Sequence, residues 1–145
     1  MVTGFNHSGF VVKDLEAMLA FYRDALGLTI VREADSVAPP EGNHTGIPGA
    51  HRTLIFVGKP EGEHVLELVY FIDPQSEDVG RPDRHQLGAS HICFNVSDLA
   101  SLHKKLSALG IEFITDPIFN TSDDGTIHGI CYCKDPEGNF VELIQ

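Results

Sequence analysis

Basic residues are scarce in this sequence. Only 10 of its 145 residues are Lys or Arg, against 21 Asp or Glu, which gives a formal net charge of −11. Nucleic acids and anionic membranes are bound through clustered cations, whereas the longest basic run here is the pair Lys104-Lys105. The composition therefore argues against both as partners, and we expect a small-molecule substrate instead.

Long apolar runs are also missing. A membrane-spanning helix needs roughly 18 or more consecutive apolar residues, and no stretch approaches that length. The N-terminal residues include His7, Asp14 and Glu16 where a signal peptide would have its apolar core. With 42% hydrophobic and 21% charged residues, the chain fits one globular domain or two fused half-units. We expect a cytoplasmic protein.

Cysteine is rare, with three residues in the chain. Cys93, Cys131 and Cys133 lie in apolar, strand-like runs, which is typical of reduced thiols in a core. A metal-binding pair formed by Cys131 and Cys133 is the alternative. Zinc thiolate sites usually have roughly two to four residues between two cysteines and a second pair as well, so we favour buried core thiols.

The most informative feature is an internal repeat. The segment HSGFVVKDLEAMLAFYRDALGL, from His7 to Leu28, recurs in degenerate form as HICFNVSDLASLHKKLSALGI, from His91 to Ile111. The matched positions pair Phe10 with Phe94, Val12 with Val96, Asp14 with Asp98, Leu15 with Leu99, and Leu26-Gly27 with Leu109-Gly110.

Each copy begins with an alternating strand and continues into a helix. An acidic residue suited to a helix N-cap follows the strand, and a glycine ends the helix. Apolar residues three or four positions apart predict that one face of each helix packs on a sheet. They are Leu15, Met18, Tyr22 and Leu26 in the first helix, and Leu99, Leu102, Leu106 and Leu109 in the second.

The predicted fold class is α+β, with two tandem βαβββ modules in a single domain of residues 1–145. Module one covers about 4–73, a connector about 74–88, and module two about 89–145. The Pro- and Gly-rich loop Ser36–Ala50 is either a lid over a site or a tolerated insertion. Further strands are predicted over residues 28–34, 52–58 and 64–72 in the first half, and over 111–115, 127–133 and 139–144 in the second.

Two histidines and two glutamates stand out in this pattern. Because side chains alternate along a strand, His7 and His91 point away from the face that packs on the helix. The last strand of each half holds a glutamate among apolar neighbours, Glu67 in HVLELVYF and Glu142 in NFVELIQ. An unpaired carboxylate there would cost several kcal/mol, so another group should compensate its charge.

A divalent metal ion is the expected compensation. Two neutral imidazoles and two carboxylates suit Zn, Ni, Co, Mn or Fe, and they leave about two octahedral positions open. The repeat strengthens this prediction, because each half supplies one His and one Glu from equivalent places. The predicted ligands are His7, Glu67, His91 and Glu142.

The other histidines are weaker candidates. His128 is the nearest to one, since it opens the seventh strand. The remaining ones are predicted to be solvated, in loops, at strand edges or on a helix surface: His44, His51, His64, His85 and His103.

These features resemble the vicinal oxygen chelate superfamily, which includes glyoxalase I, methylmalonyl-CoA epimerase, extradiol dioxygenases and the fosfomycin and bleomycin resistance proteins. The resemblance covers essentially the whole chain and is clearest in AFYRDALGL, ASHICFNVSDL and KDPEGNFVELIQ. It implies two βαβββ modules whose mixed sheets form a cup around a metal ion held at the four positions just named. It also implies a homodimer, with each site built within one chain or from two.

The resemblance further implies that the metal chelates neighbouring oxygens of the substrate and stabilises an enediolate or enolate. In glyoxalase-like members a metal-bound glutamate moves the proton, which gives Glu142 and Glu67 a catalytic role as well. The expected function is that of a metal-dependent lyase or isomerase acting on a small α-oxygenated carbonyl compound.

Two subfamilies fit less well. Glyoxalase I has an arginine four residues after its first ligand and an asparagine four after its second, both for holding glutathione, whereas this chain has Val11 and Phe71 there. Epimerases commonly have glutamine at the second ligand position, where this chain has Glu67. The few basic residues also offer little to the phosphates of coenzyme A. Neither glutathione nor coenzyme A is therefore the favoured carrier.

Two other functions stay open at this point. Extradiol dioxygenases bind Fe(II) with two histidines and one glutamate, and have a tyrosine ten residues before that glutamate, as Tyr132 is before Glu142. Tyr132 is thus either a catalytic group or a strand residue with its hydroxyl at the pocket edge. The second alternative is a metal-independent antibiotic-binding protein, although such proteins usually lack the full ligand set. Glu67, which an iron dioxygenase would not need, favours the lyase or isomerase.

Overall fold

The computed structural model describes residues 1–62 and 64–145. The chain forms two compact units, Met1–Val79 and Gly80–Gln145. Each unit contains a strand, a helix and three further strands. The first has β1 (His7–Val12), α1 (Leu15–Leu19), β2 (Thr29–Val37), β3 (His51–Gly58) and β4 (Val65–Asp73), and the second has β5 (His91–Asn95), α2 (Leu99–Ala108), β6 (Ile118–Thr121), β7 (Ile127–Lys134) and β8 (Phe140–Ile144).

Each unit has one mixed four-stranded sheet. The strand order is β1-β4-β3-β2 in the first unit and β5-β8-β7-β6 in the second. In both, the strand before the helix pairs in parallel with the last strand, and the other pairs are antiparallel. The predicted α+β class with two tandem βαβββ modules is therefore confirmed.

Aspartates begin both helices, as predicted. Asp14 Oδ1 accepts a hydrogen bond from the backbone N–H of Ala17 at 3.0 Å, and Asp98 Oδ1 accepts one from the N–H of Ser101 at 2.9 Å. The first helix then widens into a π-helical segment, Ala20–Ala25. In the part of the chain that the structure describes, no helix combines the length and the apolar character needed to cross a bilayer.

Glycines end both helical segments, and the apolar helix faces are mostly buried. Gly27 and Gly110 have φ values of 76° and 80°, a left-handed conformation that glycine adopts without steric cost. Leu109 departs from the prediction with 61% exposure, because it lies at the C-cap, beyond the packed face. Other residues of the predicted faces are fully buried: Met18, Tyr22, Leu99 and Leu106.

The strand predicted over residues 111–115 is wrong. That stretch makes only an isolated bridge, between Phe113 and Cys133, and the strand that pairs with β7 over four residues is β6. Pro117 explains the difference, because proline lacks the N–H that a ladder needs and restricts the residue before it. Regular pairing along this edge therefore begins only at Ile118.

The prediction of three core thiols is wrong for one of them. Cys131 and Cys133 are buried and free, whereas the free Cys93 is exposed. Alternate residues of β5 are exposed, and Cys93 shares the exposed face with His91. The apolar composition of this run predicts burial on both faces, but only one face of β5 is covered.

The Asp98 cap gives a pH-dependent contribution to stability. Hydrogen bonds from the backbone and hydroxyl of Ser101 lower the pKa of Asp98. A lowered pKa means that the cap stabilises the fold above the unfolded-state pKa, about 3.9, and that this contribution is lost as the pH falls through the folded-state value. The variant Asp98→Ser keeps a neutral cap and lacks this titration.

We therefore expect the free energy of unfolding of the wild type, relative to Asp98→Ser, to be constant between about pH 5 and 7 and to fall below about pH 4. Urea denaturation across this range measures the difference between the two proteins. A difference that stays constant down to about pH 2.5 would contradict the assignment.

Candidate metal centre

His7 and Glu67 meet on one face of the first sheet. β1 and β4 are parallel neighbours with Gly9 opposite Glu67, and His7 Nε2 lies 3.3 Å from Glu67 Oε2. Gly9 leaves room for this carboxylate, because a Cβ there would lie 3.3 Å from the same oxygen. The Glu67 side chain is 15% exposed, and its neighbours Leu66 and Leu68 are buried. The structure thus brings the first predicted His–Glu pair together.

His91 and Glu142 form the equivalent pair in the second sheet. β5 and β8 are parallel, with Cys93 opposite Glu142, and His91 Nε2 lies 3.2 Å from Glu142 Oε2. The Glu142 side chain is also 15% exposed, between the fully buried Val141 and Leu143. The same parallel pairing of first and last strand therefore builds the same pair twice.

The geometry of each pair suits a shared cation. Two donors that each lie about 2.1 Å from an ion are about 3.0 Å apart at a right angle and about 3.4 Å apart at a tetrahedral angle, which brackets both observed distances. His7 Nδ1 lies 2.7 Å from Asn6 Oδ1. A proton on Nδ1 then leaves the lone pair of Nε2 facing the Glu67 carboxylate. Two acceptors so close together need a proton or a cation near both.

Each pair supplies two donors, fewer than a divalent ion takes from protein in most sites. Across residues 1–62 and 64–145, no group of three or more His, Cys, Asp or Glu side chains is placed to hold an ion. The four predicted ligands therefore form two matched pairs, one in each unit.

An aromatic ring lies beside each pair. The centroid of the Phe56 ring is 5.6 Å from that of His7, and the centroid of the Tyr132 ring is 5.6 Å from that of His91. Each ring also stands opposite the glutamate of its own sheet in the strand register. Sequence reasoning missed Phe56, although the repeat could have found it, since it occupies in β3 the place that Tyr132 occupies in β7.

The two glutamates have different surroundings. The hydroxyl of Tyr132 and the thiol of Cys93 both hydrogen bond with Glu142. Partial desolvation of each group, and then the nearby Glu142, raise the pKa of Tyr132 and raise that of the Cys93 thiol to about 11, although Cys93 as a whole is exposed. Both groups are therefore protonated near neutral pH and donate to the carboxylate. The matching positions beside Glu67 hold a glycine and a phenylalanine, which donate nothing from their side chains.

Asn6 was not singled out in the sequence, although it orients a predicted ligand. Its side-chain oxygen lies 2.7 Å from His7 Nδ1, and a proton donated from Nδ1 to this oxygen leaves the Nε2 lone pair free for an ion. Such hydrogen bonds to a ligating imidazole raise its basicity and hold its ring plane. An amide directly before a strand-borne histidine is the sequence signal that could have pointed to this role.

We expect Asn6→Leu to weaken binding of a divalent ion by roughly 10- to 100-fold, because the His7 ring loses its acceptor. The variant Asn6→Asp keeps an acceptor and should retain most of the affinity. Competition with a chromophoric chelator measures both. Equal affinity in Asn6→Leu and wild type would show that the contact does not orient a ligand.

Among the described residues, the remaining histidines join neither pair. His128 is exposed on the β6–β7 hairpin. His103 departs from the prediction of a solvated residue, because its side chain is 23% exposed and its ring packs 4.3 Å from that of Phe113. His51 contacts Asp35, and His64 contacts Ser8.

Comparison with known proteins identifies the family. The Glyoxalase/Bleomycin resistance protein/Dioxygenase superfamily matches residues 4–143. The chain belongs to this superfamily. It is 28% identical to lactoylglutathione lyase of Pseudomonas aeruginosa, over 97% of this chain and 81% of that protein. It is 30% identical to a probable lactoylglutathione lyase of Synechocystis, over 96% and 92%.

Solved structures of this superfamily share the fold. A glyoxalase family protein from Bacillus cereus superposes with a TM-score of 0.84 at 20% identity, covering 99% of this chain and 94% of that one. A trypanothione-dependent glyoxalase I from Leishmania major has a TM-score of 0.68 at 23% identity, covering 99% and 87%. At 20% and 23% sequence identity, the structural similarity supports a shared fold and nothing further.

The comparisons confirm the predicted family and enzyme class. As a glyoxalase-type member of the superfamily, with lactoylglutathione lyases among its relatives, the chain is a metal-dependent enzyme of the lyase or isomerase type that acts on a small molecule. The use of a divalent metal ion accords with these relatives.

Proposed function

We propose that His7, Glu67, His91 and Glu142 are the four protein ligands of one divalent ion, chosen from Zn, Ni, Co, Mn and Fe. The support for this is the equivalence of the two pairs, which have nearly the same Nε2–Oε2 distance and the same 15% exposure of the carboxylate. The four ligands come from one chain or from two chains of a homodimer, and both modules act together as one domain.

The proposed reaction is a lyase or isomerase step on a small α-oxygenated carbonyl compound. The bound ion would polarise the substrate's carbonyl oxygen and so acidify the neighbouring C–H. Glu142 is the proposed base that removes this proton and returns it at the adjacent carbon, while the hydroxyl proton of the substrate passes to the former carbonyl oxygen. Tyr132 donates a hydrogen bond to Glu142, so it positions the carboxylate. Glu67 is the second glutamate ligand.

The substrate is proposed to be free of glutathione. The relatives are named for lactoylglutathione, but the two positions that glyoxalase I uses to hold glutathione are Val11 and Phe71 here. Val11 is 52% exposed on the face of β1 that holds His7, and it cannot bind a carboxylate. A compact hydroxyketone or hydroxyaldehyde needs neither contact.

The observation that most strongly supports this function is the short contact between an imidazole nitrogen and a shielded carboxylate, present twice. The test is proton exchange. Protein purified without oxygen and loaded in turn with each metal is mixed with hydroxyacetone or S-lactoylglutathione in D₂O, and deuterium incorporation is followed by NMR. We expect the C–H hydrogens of hydroxyacetone to exchange with deuterium only when the protein holds a metal ion. Exchange with S-lactoylglutathione alone would overturn the proposal of a glutathione-free substrate.

The contact between Tyr132 and Glu142 also fits an Fe(II) ring-cleaving dioxygenase, the second candidate. Oxygen uptake with catechols that depends on Fe(II), together with an absence of proton exchange, would establish that function instead. Binding of an antibiotic without metal, with neither activity, would indicate the third, non-catalytic function.

A further inference from the structure

Arg84 lies against the second His–Glu pair without belonging to it. Its guanidinium carbon is 4.1 Å from the centroid of the Tyr132 ring and 5.9 Å from that of Phe140. The ring of His91 meets the same Tyr132 ring edge to face. A cationic side chain and a predicted metal ligand therefore share one aromatic neighbour.

The connector is held in place next to Arg84. Three residues earlier, Arg81 Nε donates to Asn139 Oδ1 at 3.1 Å, and its guanidinium lies 3.8 Å from a carboxylate oxygen of Glu137. Asp135, 4% exposed, organises this turn by accepting from the backbone N–H groups of Glu137 and Asn139. Arg81 thus ties the connector to the turn that contains Glu137 and Asn139.

A short turn then presents Arg84. The side-chain oxygen of Gln86 accepts from the backbone N–H of Asp83 at 2.8 Å, and the Gln86 N–H donates to the Asp83 carbonyl at 2.9 Å. Ala89 N–H donates to the Gln86 carbonyl at 3.1 Å. Arg84 therefore projects from a hydrogen-bonded stretch of the connector.

Arg84 keeps its donors available. Stacking on an aromatic ring uses the face of a guanidinium, whereas all five N–H groups lie in its plane. None of the ion pairs within the described part of the chain involves Arg84, although the chain has 21 acidic residues and only 10 basic ones. Since no carboxylate among the described residues pairs with it, the Arg84 guanidinium is available for an anion from outside.

A cavity opens at this point. It has a volume of about 170 Å³ and is lined mainly by polar side chains. Because His91 forms part of its wall, a molecule bound there lies beside the proposed metal ligand. The lining residues are Arg84, Ala89, Ser90, His91, Tyr132 and Phe140.

We propose that Arg84 binds a carboxylate of the substrate, so that this enzyme converts an anionic α-oxygenated carbonyl compound, a hydroxy-oxo acid, in preference to a neutral one. This inference rests on the proposed function and adds a substrate class to it. The N–H groups of the guanidinium can bind the two carboxylate oxygens side by side, while the contact with the Tyr132 ring holds the guanidinium beside the cavity.

The first unit contains a similar arrangement. Arg32 lies with its guanidinium carbon 3.7 Å from the centroid of the Phe56 ring, and that ring meets the His7 ring edge to face. Arg32 reaches Phe56 from β2, whereas Arg84 reaches Tyr132 from the connector. Two different backbone segments thus place an arginine on the aromatic residue beside a His–Glu pair, which argues against an accidental contact at Arg84.

The test compares two ligands that differ in one group, a carboxylate in the first and its neutral amide in the second. Zinc-loaded protein is titrated with 5-hydroxy-4-oxopentanoate and with its neutral amide, 5-hydroxy-4-oxopentanamide, and binding is measured by calorimetry and NMR. Both compounds offer the same neighbouring oxygens to the metal, and only the acid has a carboxylate. S-lactoylglutathione is a third ligand, whose carboxylates belong to the peptide.

Three variants accompany the wild type. Arg84→Met keeps an unbranched side chain to cover Tyr132 but lacks the charge and the donors, and Arg84→Lys keeps the charge alone. Lys104→Gln, on the exposed surface of α2, removes one positive charge away from the cavity and serves as the matched control.

We expect the wild type to bind the acid about 10- to 100-fold more tightly than the amide. Arg84→Met should abolish this preference without changing the affinity for the amide, Arg84→Lys should restore part of it, and Lys104→Gln should keep it. A loss confined to S-lactoylglutathione would overturn the hydroxy-oxo acid as the substrate class, because the carboxylate that Arg84 binds would then belong to the peptide.

Equal binding of acid and amide by the wild type would overturn the inference and leave the proposed function intact. Weaker binding of both compounds by Arg84→Met would assign Arg84 to positioning Tyr132 and would overturn it as well. Failure of the zinc-loaded wild type to bind either compound would overturn the proposed function itself, and the inference with it.

Discussion

The variant Glu142→Gln should bind metal and turn over substrate about 100- to 10,000-fold more slowly than the wild type, with little change in KM. An amide oxygen can still coordinate a divalent ion, but it does not accept a proton at neutral pH, so the variant separates binding from proton transfer. Glu142 is preferred over Glu67 as the base because Tyr132, which donates to it, lines the cavity. Steady-state kinetics together with metal analysis measures both quantities.

Two further variants make this result specific. Glu67→Gln should lower kcat less than Glu142→Gln, because Glu142 is the proposed base and Glu67 is proposed as a ligand only. Glu112→Gln, whose carboxylate is 64% exposed and paired with Lys134, should leave activity unchanged. Should Glu67→Gln lose most of the activity while Glu142→Gln keeps it, the two glutamates have exchanged roles. Full activity in both would eliminate a glutamate base.

The sequence was sufficient to predict features that repeat with a period. Strand alternation placed His7 and His91 on the face away from the helix, and the repeat linked each of them to one glutamate. Parallel pairing of first and last strand then brings each His–Glu pair to a contact of 3.3 or 3.2 Å. These features depend on local periodicity, which a sequence shows directly.

Features that depend on contacts between distant parts of the chain could not be predicted from the sequence. Residues 111–115 alternate like a strand, but they form only one bridge, because the ladder partner of β7 is chosen by the hairpin that begins after Pro117. Arg84 belongs to a polar connector without periodicity, so nothing local indicates that its guanidinium lies on Tyr132. Cys93 looked like a core residue because its neighbours are apolar, although its own face of β5 is exposed.

Single replacement of either histidine should remove essentially all bound metal. If both His–Glu pairs hold one ion, loss of His7 or of His91 leaves three ligands and should weaken binding by at least about 100-fold, more than a lost outer hydrogen bond does. His7→Ala and His91→Ala are dialysed against a weak chelator, and their metal content per chain is determined by mass spectrometry of the elements.

The stoichiometry distinguishes one shared site from two separate ones. Wild-type protein with one ion per chain, and both variants nearly empty, is the result expected for four ligands on one ion. Independent sites would give two ions in the wild type and one in each variant, because each pair would keep its own ion. His128→Ala, which removes an exposed histidine of the β6–β7 hairpin, should retain the wild-type content. Because the Nε2–Oε2 distance is nearly the same in the two pairs, His7→Ala and His91→Ala remove equivalent contacts and their metal contents can be compared directly.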